Sequence, residues 1–138
     1  MGRPTSQSST DNQHSGSNLA VDGKHDKCSP QDNQYAKTGL QQNPSWTVTL
    51  DKVYDVRSII LYSVFNKFDY TGSLSNINIY VINNGKSSFC ANTGNMDGIA
   101  KSEFTCKFDA IGNIVKLERK GDGQLQICEV MVYGHIGK

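Results

Sequence analysis

A chain of 138 residues with 14 Lys+Arg against 13 Asp+Glu carries a formal net charge of +1. Both signs are spread along it, which excludes a basic footprint for nucleic acid or an anionic membrane and favours neutral or locally selective ligands. Its length suits one domain spanning residues 1–138, and its apolar runs, such as Ile59-Ile60-Leu61, are far below the roughly 20 residues of a bilayer span.

The chain opens on the polar stretch Met1-Gly2-Arg3-Pro4-Thr5-Ser6-Gln7, which lacks the apolar core of a signal peptide; the expectation is the mature segment of a secreted protein. Residues 1–45 are rich in Ser, Gln, Asn and Asp and read as long loops. Asn43-Pro44-Ser45 is the only Asn-x-Ser/Thr triplet, and its central proline excludes it as a glycan acceptor. Periodicity begins at Trp46-Thr47-Val48-Thr49-Leu50, where apolar residues alternate with hydroxyls, so Trp46 is expected to point into a core. Ser58 to Val64 carries a β-branched run, and Ile77-Asn78-Ile79-Tyr80-Val81 alternates again. After the turn signal Asn83-Asn84-Gly85 come strands at Phe104–Phe108 and Ile114–Leu117, and one from Leu125 to Tyr133 following Gly121-Asp122-Gly123. Short strands between turn clusters, with no helical stripe, predict an all-β, antiparallel sandwich.

Four cysteines, Cys28, Cys90, Cys106 and Cys128, fit an extracellular domain closed by disulfides. Spacing alone allows three pairings. Other constellations are bland. His25-Asp26-Lys27-Cys28 holds too few ligands for zinc. His14 and His135 sit near the ends and are expected in solvent, and Glu118-Arg119-Lys120 reads as a solvated strand end. No nucleophile elbow, phosphate loop or paired-carboxylate motif stands out, so the chain is not expected to be an enzyme.

Six segments in order carry a resemblance: Gly2 to Ser9, Ser17-Asn18-Leu19-Ala20-Val21-Asp22-Gly23, Asn43 to Leu50, Val53-Tyr54-Asp55-Val56, Leu74-Ser75-Asn76, and Ile127 to Gly134. Together with two cysteine landmarks they resemble the F-type lectins, the fucolectin family. The resemblance implies a β-sandwich jelly roll of discoidin-like architecture and the pairings Cys28–Cys128 and Cys90–Cys106. Closing those loops removes chain entropy equivalent to roughly 4–5 and about 3 kcal/mol respectively.

It also implies a structural calcium ion. The matching ligands here are the side chains of Asp22 and Glu129 and the backbone carbonyls of Leu19, Lys24 and Cys128, with a family serine position falling on Lys27, which offers only its carbonyl oxygen. Hard oxygens on a turn plus one or two carboxylates suit this ion.

Fucose recognition in the family uses a histidine, an Arg-x-Asp element and a second arginine beside two adjacent bonded cysteines. This chain departs from that pattern. The histidine position falls on Pro30, Arg-x-Asp on Lys67-Phe68-Asp69, the adjacent cysteines on Tyr70-Thr71, and the second arginine on Ser73. A rebuilt surface would draw on Tyr35, Lys37, Phe65, Lys67, Phe68, Asp69 and Tyr70. The expected function is an extracellular, calcium-stabilised carbohydrate-binding module for a glycan, fucosylated or changed in specificity, or for a glycoprotein, with oligomers a route to avidity. The alternative is a protein-interaction or adhesion module on the same scaffold.

Overall fold

A computed structural model describes residues 4–10, 16–21, 35–64, 74–96, 99, 101–106 and 109–136. Among these, regular structure consists of ten strands and a 3-10 turn at Ser17–Val21: β1 (Thr5–Gln7), β2 (Ala36–Lys37), β3 (Gln41–Gln42), β4 (Ser45–Ser63), β5 (Ile77–Asn83), β6 (Lys86–Asn92), β7 (Lys101–Thr105), β8 (Ile111–Arg119), β9 (Asp122–Gly123) and β10 (Gln126–Ile136). All pairings are antiparallel.

The strand β4 organises both layers of the sandwich. Its first part, Ser45–Thr49, lies between β1 and β8, and β8 continues to β5 and β6. Its second part lies between β10 and β7, with β2 outside β10. The two stretches expected as separate strands are therefore one bent strand of 19 residues. The bend falls where the β8 register slips between Thr49 and Tyr54, at exposed Asp51 and Lys52.

Alternation then puts one row of each strand inside. Trp46, Val48, Ile79, Val81, Val115 and Leu117 face in from one layer, and Ile59, Leu61, Ile127 and Val130 from the other. Even-numbered positions point inward before Arg57 and odd-numbered ones after it. The cause is a bulge: Tyr133 pairs with Ser58 and Gly134 with Val56, leaving Arg57 as an extra residue on β4. At this crossing the strands run very close, and a Cβ on Gly134 would meet the Asp55 carbonyl oxygen at 2.3 Å. Gly134→Ala is accordingly expected to cost about 1–3 kcal/mol, read as a lower urea midpoint; an unchanged midpoint would contradict this packing.

The β5–β6 hairpin turns at Asn84 and Gly85 with φ of 51° and 79°, the left-handed pair that a two-residue turn needs. It places β6, a strand not anticipated from sequence, on the sheet edge. Two further bulges occur at cysteines. Cys90 is the extra residue on β6 between Ala91, opposite Ile79, and Phe89, opposite Tyr80. Cys128 is the extra residue on β10 between Ile127, opposite Ser63, and Glu129, opposite Tyr62. Cys90 is bonded to Cys106, just beyond β7, so this disulfide joins the edge of one layer to the edge of the other. Cys128 is also disulfide-bonded and no described cysteine is free; Cys28, its expected partner, lies outside the described residues.

The polar first third contributes more than loops. Ala20, Val21, Ala36 and Thr38 are buried. The Trp46 indole donates to the Ser17 carbonyl at 3.0 Å, and the Thr49 amide to that of Pro4 at 2.8 Å. The Gly121 amide donates to the Asn43 side chain at 2.8 Å, and the Asn43 amide returns a bond to the Gly121 carbonyl at 2.9 Å. These bonds satisfy the polar groups that a loop lying on a sheet would otherwise leave buried without partners.

Candidate functional site

At one end of the sandwich the chain leaves β4 after Ser63 and returns at Leu74. The intervening segment carries Phe65, Lys67, Phe68, Asp69, Tyr70 and Ser73, and these lie outside the described residues. The ends of that segment are well defined. Val64 packs with Tyr35 and Cys128 in a small buried cluster, with Tyr62 against it. Leu74 is fully buried, and the Thr93 hydroxyl bridges its carbonyl at 2.6 Å to the Ile77 amide at 2.8 Å. Both ends of the candidate sugar-contact segment are thus held against the core. A second threonine does similar work nearby: Thr38 accepts from the Leu125 amide at 2.9 Å and is itself buried.

Tyr35 departs from the expectation of a rebuilt contact surface. It is 4% exposed, because its ring covers Cys128 and Val64. It packs instead beside Val64, where the described chain leaves β4. Lys37 is partly exposed on β2 and stays on the surface. His135 is exposed, as expected.

Of the residues matched to the calcium ligands, Leu19, Cys128 and Glu129 are described; Asp22, Lys24 and Lys27 lie outside the described residues. Glu129 is only 3% exposed, unlike the solvated carboxylate of an ordinary strand. The bulge at Cys128 explains this, since it leaves Ile127, Cys128, Glu129 and Val130 buried in succession where strict alternation would expose every second residue. A carboxylate at such depth needs a cation or several donors to offset its lost hydration.

Glu129 lines a cleft of about 500 Å³ whose walls also include Val21, Val48, Leu50, Tyr54 and Val130 to Gly134. Val21 ends the 3-10 turn that carries Leu19. The backbone leading into Asp22 and the buried carboxylate therefore border the same space, an arrangement that fits an oxygen-liganded divalent cation. No cluster of three or more His, Cys, Asp or Glu occurs among the described residues; the set in question depends largely on carbonyl oxygens.

No family model matches the chain, and no curated protein matches it. Solved structures do. The lectin domain of lectinolysin, complexed with Lewis B antigen, is 27% identical with a TM-score of 0.81 over 96% of this chain and 93% of its own. A fucose binding module from Streptococcus pneumoniae is 22% identical, TM-score 0.82, over 98% and 96%. A fucolectin from the serum of striped bass, Morone saxatilis, is 22% identical, TM-score 0.82, over 98% of this chain and 46% of its own. The bent two-layer sandwich and the ordered sequence segments agree with one another, and the chain has the antiparallel β-sandwich fold of the F-type lectin domains to which it is similar.

Proposed function

We propose that this domain is an extracellular carbohydrate-binding module, without catalytic activity of its own, that grips a glycan at the end of the sandwich where the Val64–Leu74 segment emerges. The observation that carries the reading is the anchoring of that segment at both ends by Val64, Leu74 and Thr93, in a fold matched over nearly its whole length by lectin domains. Lys67 and Asp69 supply charged hydrogen-bonding groups for sugar hydroxyls. Phe68 and Tyr70 supply apolar faces, and Ser73 a hydroxyl.

Specificity follows from the substitutions. An ammonium is a point donor and does not reproduce the forked bonding of a guanidinium, so Lys67 and Ser73 select a hydroxyl arrangement different from that favoured by two arginines. An aromatic ring at Tyr70 replaces a disulfide as the apolar surface. Calcium held by Asp22 and Glu129, with carbonyl oxygens of Leu19, Lys24, Lys27 and Cys128, stabilises the domain by mass action.

A glycan array in calcium and in chelator tests the proposal, with selective binding competed by free sugar as the expected result. Lys67→Ala is expected to weaken that binding tenfold or more, since a charge-assisted bond contributes about 1.5–3 kcal/mol, with an unchanged melting temperature. Silence of the parent across the array, with capture of a defined protein ligand instead, would replace this reading by an adhesion module.

A further inference from the structure

The outer face of the β4–β8–β5–β6 layer presents a row that the loop site does not use. Cross-strand pairing lines up Thr47, Lys116, Tyr80 and Phe89, and all four point outward because Trp46, Val48, Val115, Leu117, Ile79 and Val81 on the same strands are buried. Phe89 is 50% exposed. Its ring meets that of Tyr80 edge to face, with centroids 5.9 Å apart and planes at 73°, an arrangement favoured between aromatic rings. Among the described residues β6 is the edge of this sheet, and Tyr80 beside Phe89 is partly exposed.

The polar groups around the rings decide what they suit. The two charges on the face neutralise each other, Lys116 Nζ lying 3.6 Å from Glu118 Oε2. The next row holds the amides of Asn78 and Asn92, joined at 2.9 Å. An aromatic pair set among amides and hydroxyls, without net charge, complements a ligand that is uncharged, apolar on its ring faces and hydroxylated at its edges.

We propose that this face is a second carbohydrate site, which binds an extended, neutral polysaccharide through Tyr80 and Phe89. The inference rests on the reading of the domain as a carbohydrate binder but places the contact on the sheet face and assigns it to Tyr80 and Phe89. Affinity electrophoresis of the intact chain through gels containing hydroxyethylcellulose or galactomannan provides the test. The parent is expected to be retarded in at least one gel, equally in low and high salt and equally with excess free fucose. Phe89→Ala and Tyr80→Ala are expected to reduce retardation at least tenfold with an unchanged melt, while Lys67→Ala leaves it intact. Absence of retardation, retardation preserved in both aromatic variants, or retention only by dextran sulfate and lost in salt would each overturn the proposal. A positive glycan array alongside any of those results leaves the loop reading standing and removes this one.

Discussion

Trp46→Ala is expected to destabilise the domain by about 3–5 kcal/mol, the range for deleting a large buried ring. Trp46 is fully buried in the part of β4 flanked by β1 and β8, and its indole nitrogen also holds the Ser17 carbonyl. The substitution opens a cavity between the layers and releases the 3-10 turn at once. Since whole domains are stable by only about 5–15 kcal/mol, urea denaturation will show a large shift in midpoint. Should the alanine variant not fold, Trp46→Phe reads the same site more gently: most of the ring remains and the bond to Ser17 is lost, for roughly 1 kcal/mol. A Trp46→Ala midpoint equal to that of the parent would refute the central placement of this ring.

Glu129→Gln is expected to lose the stabilisation that calcium gives the parent. In saturating calcium the parent gains stability that the variant lacks, about 2.7 kcal/mol when the free ion is at a hundred times its dissociation constant. In chelator that gain is absent from both proteins, so the difference between them narrows. Paired melting curves with added calcium and with chelator check both halves. Equal melting of parent and variant in saturating calcium would remove Glu129 from the ion's coordination.

The regular strands were legible because their apolar residues alternate: Trp46 to Leu50, Ile77 to Val81 and Ile114 to Leu117 fall inside β4, β5 and β8, and the Leu125 to Tyr133 stretch lies in β10 but for its first residue. Strand β6 was not, since Lys86-Ser87-Ser88 offers neither β-branching nor an apolar period; its position comes from the Asn84–Gly85 turn and from pairing with β5. Strands β1, β2 and β3 are two or three residues long, too short for any period to register.

Candidate-site residues divide in the same physical way. Glu129 could be singled out by likeness, yet its burial depends on the bulge at Cys128, and a bulge reverses the parity on which pattern reading relies. Tyr35 is buried where an aromatic in a polar stretch suggests a contact residue, because the local pattern gives no hint that Cys128 and Val64, far away in the chain, pack against it. Thr93 and Thr38 went unnoticed, as a buried hydroxyl bridge depends on partners far away in the chain.

The uninterrupted course of β4 through both layers has a mechanical consequence. Because a single covalent backbone forms part of each wall, the walls are hinged by chain rather than by side-chain contact alone, and parting them demands that the hydrogen-bonded neighbours of β4 be stripped away. Damage at the bend is therefore felt in both halves together, so the domain should come apart in one concerted step instead of leaf by leaf.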